Sequence, residues 1–400
     1  MELHEILDQA TAQIPPELMG VERQRAVGSV VDDMDPAARD FLRGYMNGLL
    51  AAMATNNASD IDLGGDGSNG RVWYRIYGRK KPEESISFTT DQTDVLLQSL
   101  LVNSQRRHLL RHRNLDFSYS VRQDGQNLRF RADLYFELEH LALNMRHLPG
   151  KVRPFKGLEL HPDVVRSIIM TYDKQGLTLV TGITGSGKST TLDTIIDANN
   201  QVFEGHIIII GAPIETVHPS KRCIVRHREV GLDVMSFHDG AVQAMRQDPD
   251  IIVVGEMRNF ETIDTVLELT DTGHKVFSTL HTSSAAESLD RLIGVCPPEE
   301  QNRTRERLAD VLKCIIAQKL VPRLDGKLQL AKEVLLINPS VRAAIANDNT
   351  NEIYQMMQEG QRKGMNTLEQ DLKRLVEIPL ISAETAMNYA NNKVRMEELL

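Results

Sequence analysis

The sequence is short of cysteine, of long apolar runs and of basic charge, and each shortage removes a class of protein. Its three cysteines, Cys223, Cys296 and Cys314, form neither a disulfide framework nor a CxxC metal clamp, so reduced thiols in a cytoplasmic protein are expected. No stretch approaches the roughly 18 apolar residues of a membrane span. The opening MELHEILDQATAQIPPEL lacks the basic region and apolar core of a secretory signal. Membrane attachment is therefore expected only through a partner. Lys and Arg total 46 against 55 Asp and Glu, a net charge of -9, and no chain-wide field favours nucleic acid.

What is present fits a soluble globular chain of two or three domains, with 400 residues, 41% of them apolar and 25% charged. The first 54 residues read as a helical extension, in which Phe41, Tyr45, Leu49 and Met53 recur four apart and are expected to pack against the next domain. Residues 55–148 read as a small α/β domain on antiparallel strands. RVWYRIY alternates like a strand, RKKPEE reads as a charged loop, and QDGQN turns between LDFSYSVR and the strands that follow. The basic run RRHLLRHR, 106–113, has no interleaved aromatics and is expected to be a solvated helix face. Residues 149–162 carry prolines and glycines and read as a linker. Over 163–329 the short apolar strands LTLVT, IIIIG, IIVVGE and VFSTL alternate with helical stretches, as in a parallel sheet covered on both faces. From 330 to 400 the chain reads as helices with short turns.

GITGSGKST, 182–190, satisfies G-x-x-x-x-G-K-[ST], follows an apolar strand and opens a helix, the context that this phosphate loop requires. Its glycines let backbone amides turn around phosphate oxygens where a β-carbon would crowd them. The candidate ATP-binding residues are Gly182, Thr184, Gly185, Ser186, Gly187, Lys188, Ser189 and Thr190. Lys188 is to neutralise β/γ charge, and Ser189 offers its hydroxyl to Mg2+. Ligands of doubly wound sheets bind beyond the carboxyl ends of the strands. IIIIGAPIE ends in Glu215, IIVVGEM in Glu256 and KVFSTLHT in His281, with His274 just before that last strand. These four are expected to serve one nucleotide edge. Arg226, Arg228 and Arg246 flank the same strands and are candidate charge-stabilising arginines.

Together these motifs resemble the secretion ATPase superfamily, and most closely its PilT-like type IV pilus retraction branch, over about residues 55–380. GITGSGKSTTL is similar to the family's Walker A, and RQDPDIIVVGEMRNFETI to its Walker B, in which glycine precedes the catalytic glutamate. TGHKVFSTLHTSSAAESLDRL is similar to its histidine box, which carries two histidines onto His274 and His281. The resemblance implies a RecA-like P-loop ATPase domain preceded by a PAS-like domain and followed by C-terminal helices. It also implies a homohexamer that hydrolyses ATP with Mg2+, and an inner-membrane pilus platform protein as partner. Glu256 becomes the general base or water-orienting group. Arg228 and Arg246 become the first choices for shared arginines, and Arg131 and Arg146 look like small-domain arginines that reach ATP. The family's acidic box, Glu-Asp-Pro-Ile-Glu, reads Gly211-Ala212-Pro213-Ile214-Glu215 here, so two carboxylates are absent. Asp62 replaces a histidine, and SVRAAIANDN only loosely echoes the segment linked to retraction. A secretion-system ATPase and a low-turnover nucleotide-binding ring stay open as alternatives, and a DNA-stimulated motor is disfavoured by charge.

Overall fold

The computed structural model describes residues 2–123, 125–148, 150 and 152–400, and it divides into two compact units, Met1–Gly150 and Lys151–Leu400. The first contains helices α1 (Leu3–Thr11), α2 (Gly20–Asp33) and α3 (Pro36–Thr55), then strands β1 (Ala58–Gly64), β2 (Trp73–Ile76) and β3 (Arg79–Pro82). Helices α4 (Thr90–Ser99) and α5 (Asn103–His112) and strands β4 (Asn114–Gln123), β5 (Gln126–Glu137) and β6 (His140–Leu148) complete it. The six strands run antiparallel in the order β3-β2-β1-β6-β5-β4. Alternation along them sends Phe130, Ala132, Leu134, Leu143 and Met145 into the core and leaves Arg131 and Arg146 on the other face.

The N-terminal helices share that core. Leu42, Met46, Leu50 and Met53 of α3 are fully buried in it, while Phe41 stays exposed. A polar network inserts between α2 and α4: Gln24 donates to Asp94 (2.6 Å), and Gln98 donates to the Gln24 carbonyl (2.6 Å). Burying such amides is costly unless they are hydrogen-bonded, and here both side-chain NH2 groups donate.

Two expectations are corrected here. RKKPEE is not a loop throughout, because its first four residues form edge strand β3, rich in lysine and arginine as exposed edges tend to be. The 106–113 run is not wholly solvated either. Arg106 is buried and donates to Asp32 (2.5 Å) and to the Gly28 carbonyl (3.2 Å), so one of its charges clamps α5 to α2.

In the second unit, α6 (Pro162–Ile168) leads into β7 (Gly176–Thr181), α7 (Lys188–Val202), β8 (His206–Gly211), β9 (Ile224–Glu229) and α8 (Phe237–Ala244). There follow β10 (Ile251–Val254), α9 (Phe260–Asp271), β11 (Lys275–Leu280), α10 (Ala285–Gly294), α11 (Pro298–Val311), β12 (Leu312–Pro322) and β13 (Leu328–Leu336). Five helices end it: α12 (Pro339–Ala346), α13 (Ile353–Glu359), α14 (Leu368–Glu377), α15 (Ala383–Tyr389) and α16 (Lys393–Leu399). The sheet order is β13-β12-β7-β11-β10-β8-β9, parallel except for β13. Helices cover both faces, which explains the unbroken apolar runs: Ile208, Ile210 and Val254 enter one core, and Ile207, Ile209 and Val253 the other.

The expected boundary at 329/330 falls inside β13, so the sheet runs on to Leu336 before the helices begin. β9 carries the sequence IVRHRE at the sheet edge. The three cysteines are free and buried, and among the described residues no helix is long and apolar enough to cross a membrane.

One ion pair in the first unit makes its stability pH-dependent. His140 Nδ1 lies 2.8 Å from Asp94, and this hydrogen bond, opposed by partial burial, raises the imidazole above its ordinary pKa. A raised folded-state pKa means that the contribution is fully present below the unfolded value of about 6.5 and is lost as pH rises through the folded value. Trp73 is the single tryptophan and sits in this unit. Urea unfolding followed by Trp73 fluorescence should give lower stability at pH 8 than at pH 6, and His140→Asn should reduce the difference. An unchanged pH difference in the variant excludes the pair as its source.

Candidate active site

Strand β7 ends where the phosphate loop begins, and three glycines give the loop its path. Gly182, Gly185 and Gly187 have φ of 151°, 81° and 87°, a region that residues with a β-carbon rarely adopt. At Gly182 a β-carbon would also lie 2.3 Å from Ser186 Oγ and 2.5 Å from the Gln318 carbonyl. Gly187 then caps α7 with no side-chain hydrogen bond, so the first-turn amides of a 15-residue helix stay available to an anion.

The loop is buttressed from β12, where Gln318 donates to the Ser186 carbonyl (2.7 Å). Ser186 Oγ is buried and has no hydrogen-bond partner. Thr184, Gly185, Ser189 and Thr190 are exposed. A glycine cradle, an unanswered buried hydroxyl, free helix amides and a lysine together fit a phosphate group.

Lys188 is buried, and its ammonium donates to the carbonyls of Gly182 (2.7 Å) and Ile183 (3.1 Å) and lies 3.5 Å from His281 Nδ1. Burial holds its pKa below the ordinary lysine value, with Glu256 and Glu215 pulling the other way. The parallel register makes this convergence possible, because β7, β11, β10 and β8 all point their carboxyl ends at one edge. Glu256 follows β10, pairs with Arg258 at 2.8 Å and lies 3.7 Å from His281 Nε2. Partial burial, then the Lys188 charge, lowers the His281 pKa, which favours a neutral imidazole at pH 7.

Glu215 is half-buried after β8, and its neighbours tie the segment to α7. Thr216 donates to Asp193 (2.7 Å), and buried His218 Nε2 lies 3.0 Å from the same carboxylate. The Ile214 amide donates to Glu229 (3.1 Å). The glycine before Glu256 has a steric reason. A β-carbon at Gly255 would stand 3.1 Å from the Ile210 carbonyl and 3.2 Å from the Phe237 ring, with the Gly211 Cα at 3.5 Å. Here β8 and β10 run too close for an easy side chain.

Not every expected residue reaches this edge. His274 precedes β11 and His281 follows it, which at about 3.3 Å per residue places them about 23 Å apart at opposite edges of the sheet. The expectation that both histidines serve one nucleotide edge is therefore corrected for His274, whose Nδ1 lies 3.0 Å from the Leu269 carbonyl. Arg246 is likewise on the far side, exposed ahead of the amino end of β10. Arg228 sits near the carboxyl end of β9, donating to Gln243 (2.8 Å) and the Asp233 carbonyl (3.2 Å). Arg131 and Arg146 belong to the first unit, directly opposed across β5 and β6, and Arg146 donates to Asp60 (2.8 Å).

Sequence reasoning passed over Arg258, Gln318, Asp193 and His218. Arg258 stands two residues past Glu256 and was findable, whereas Gln318 lies 132 residues from Ser186 and carries no local signal.

A Walker-type loop, a glutamate at the end of a neighbouring core strand and a doubly wound parallel sheet define a P-loop ATPase. The type II/IV secretion system protein family matches residues 39–398, and the chain belongs to that family. Among its relatives is the type IV pilus retraction ATPase PilT of Pseudomonas aeruginosa, 37% identical over 86% of this chain and 97% of that protein. The twitching motility protein of Neisseria gonorrhoeae is 35% identical over 80% of this chain and 85% of its own length. The crystal structure of the pilus retraction motor PilT with bound ADP superposes with a TM-score of 0.78 at 36% identity, covering 88% of this chain and 98% of that one. The ATPase DotB of Legionella pneumophila gives a TM-score of 0.75 at 26% identity, over 86% and 94%.

Gly182→Ala should abolish nucleotide binding, since its β-carbon would meet the Gln318 backbone as well as Ser186. Titration with a fluorescent ATP analogue checks this, and undiminished affinity in a folded variant would exclude the loop as the binding element.

Proposed function

We propose that this chain is an ATP-hydrolysing motor of a type IV pilus retraction machine, working as a homohexamer in the cytoplasm and bound to the inner membrane through a platform protein. The observation that carries the reading is the gathering of Lys188, His281, Glu256 and Glu215 at one sheet edge, in a chain that aligns with nearly the whole of a pilus retraction ATPase.

Phosphoryl transfer leaves the protein little covalent work, so the barrier falls through positioning and through charge placed on the transferring group. The loop amides and Lys188 hold the triphosphate. Ser189 would hold Mg2+ through its hydroxyl, and the ion would supply further charge neutralisation. Glu256 orients the attacking water and takes its proton. Its carboxylate pairs with Arg258, and His281, which also approaches Lys188, stands beside it. Glu215 is the acidic-box carboxylate left to assist. Arg228 is the preferred shared arginine, because it already lies at the carboxyl ends of the strands. Arg131 and Arg146 are proposed as further nucleotide contacts, and Arg246 and His274, far from the loop within the chain, as groups offered to a neighbouring subunit.

Glu256→Gln should bind ATP normally yet lower kcat by about 10²-fold or more, the usual scale for removing a positioned base. Phosphate release at the wild-type rate from that variant would remove Glu256 from the mechanism.

A second reading, a ring of low turnover, is favoured by one observation, the missing carboxylates at Gly211 and Ala212. Gly211 can accept a side chain at modest cost, since its β-carbon would meet chiefly the mobile end of Ile214, at 2.7 Å. The double variant Gly211→Glu with Ala212→Asp is expected to raise kcat. If steady-state phosphate release in the variant does not exceed the native rate, the depleted box is not what limits turnover.

A further inference from the structure

A cavity of about 610 Å³ lies within the second unit, away from the phosphate loop, walled by β13, α14 and the turn at 159–161. Its size is that of a small-molecule site. The walls are stitched together. Asn366 exchanges backbone hydrogen bonds with Val334 (2.9 and 3.1 Å), and its side chain donates to the Lys332 carbonyl (2.6 Å). Gly364 has φ of 88°, and a β-carbon there would lie 2.6 Å from His161 Cβ, so that wall closes only over glycine.

Three carboxylates, Glu159, Asp371 and Glu377, and three cations, Lys332, Lys373 and Arg374, line the cavity, but their hydrogen bonds do not pair off. Asp371 accepts from the Lys332 backbone amide (2.9 Å) and from Arg374 Nε (2.9 Å), and Glu159 accepts from Arg374 Nη1 (3.2 Å). Glu377 is 3.8 Å from Lys373. Each carboxylate is thus answered by a cation or an amide. Two donors are left over. Arg374 Nη2 is buried with no hydrogen-bond partner. Lys332 is only 6% exposed, and among the described residues its ammonium makes neither a hydrogen bond nor an ion pair within 4.0 Å. Asp371 and Glu159 act on the Lys332 ammonium only through space, so it is buried without a hydrogen-bond acceptor, and an anion answers both donors at once.

We propose that this cavity binds a small oxyanion, phosphate- or carboxylate-bearing, through the Lys332 ammonium and the free edge of the Arg374 guanidinium. The Arg374 guanidinium is already fixed by two carboxylates, so it meets the ligand with little further loss of side-chain freedom. Lys332 pairs directly with Gln318 across β12 and β13, and Gln318 holds the phosphate loop at Ser186. The bound charge therefore sits one cross-strand pair from the nucleotide cradle.

Isothermal titration calorimetry on the full chain tests this, with Lys188→Ala as background so that the phosphate loop does not contribute. Pyrophosphate and citrate are titrated separately, and the two arms distinguish a phosphate ligand from a carboxylate one. One saturable site per chain is expected for at least one anion, with affinity lowered roughly tenfold or more by Lys332→Met, the scale of a lost charged hydrogen bond. Lys332→Gln serves if circular dichroism finds the methionine variant misfolded. No saturable heat with either anion, or equal affinity with and without the Lys332 charge, overturns the proposal.

Discussion

The structure depends on the parallel hydrogen-bonded register of β7, β11, β10 and β8. Parallel strands are buried on both faces, so their sequences are mostly Ile, Val and Leu, and the charged groups that face the phosphate loop follow where the strands stop. Because all four stop at the same edge, groups from Gly182 to His281 converge on one ammonium. Lys188 touches His281 and responds electrostatically to both Glu256 and Glu215. Reversing any one strand would carry its polar end to the far edge, as the position of His274 illustrates from the other end of β11.

Around that edge the protein invests in rigidity. Gln318 fixes the loop from β12, Asp193 on α7 holds Thr216 and His218 so that Glu215 is not on a free loop, and Arg258 and His281 bracket Glu256. Positioning of this kind is what catalysis of phosphoryl transfer asks of a protein. The same packing accounts for a glycine at 255, where neighbouring backbone stands where a side chain would need to go.

Local features were legible in the sequence and distant ones were not. The phosphate loop is nine consecutive residues whose glycines, lysine and flanking strand and helix all announce it, and the four apolar core strands were read correctly from their runs. β9 was missed because IVRHRE is charged, as an edge strand is free to be. The expectation of helix from 330 fails over β13 because the strand's continuation beyond 329 is specified by antiparallel pairing with β12 rather than by its own composition. Arg106 was misjudged for a similar reason, since its partners Asp32 and Gly28 lie more than 70 residues away. The expectation for His274 fails because adjacency to a strand does not say which end faces the ligand. Helices α1 and α2 lie ahead of the matched family segment, which begins at 39, yet Ile6 and Leu7 of α1 and Val27 and Val31 of α2 are buried in the core of the first unit.

The central claim, that a triphosphate sits in the cradle around Lys188 and is cleaved there, is tested most directly by single-turnover hydrolysis of γ-labelled ATP. Native protein in molar excess should cleave the label, and Lys188→Ala, folded by circular dichroism, should neither retain nor cleave it. Cleavage by that variant at the native rate would contradict the account.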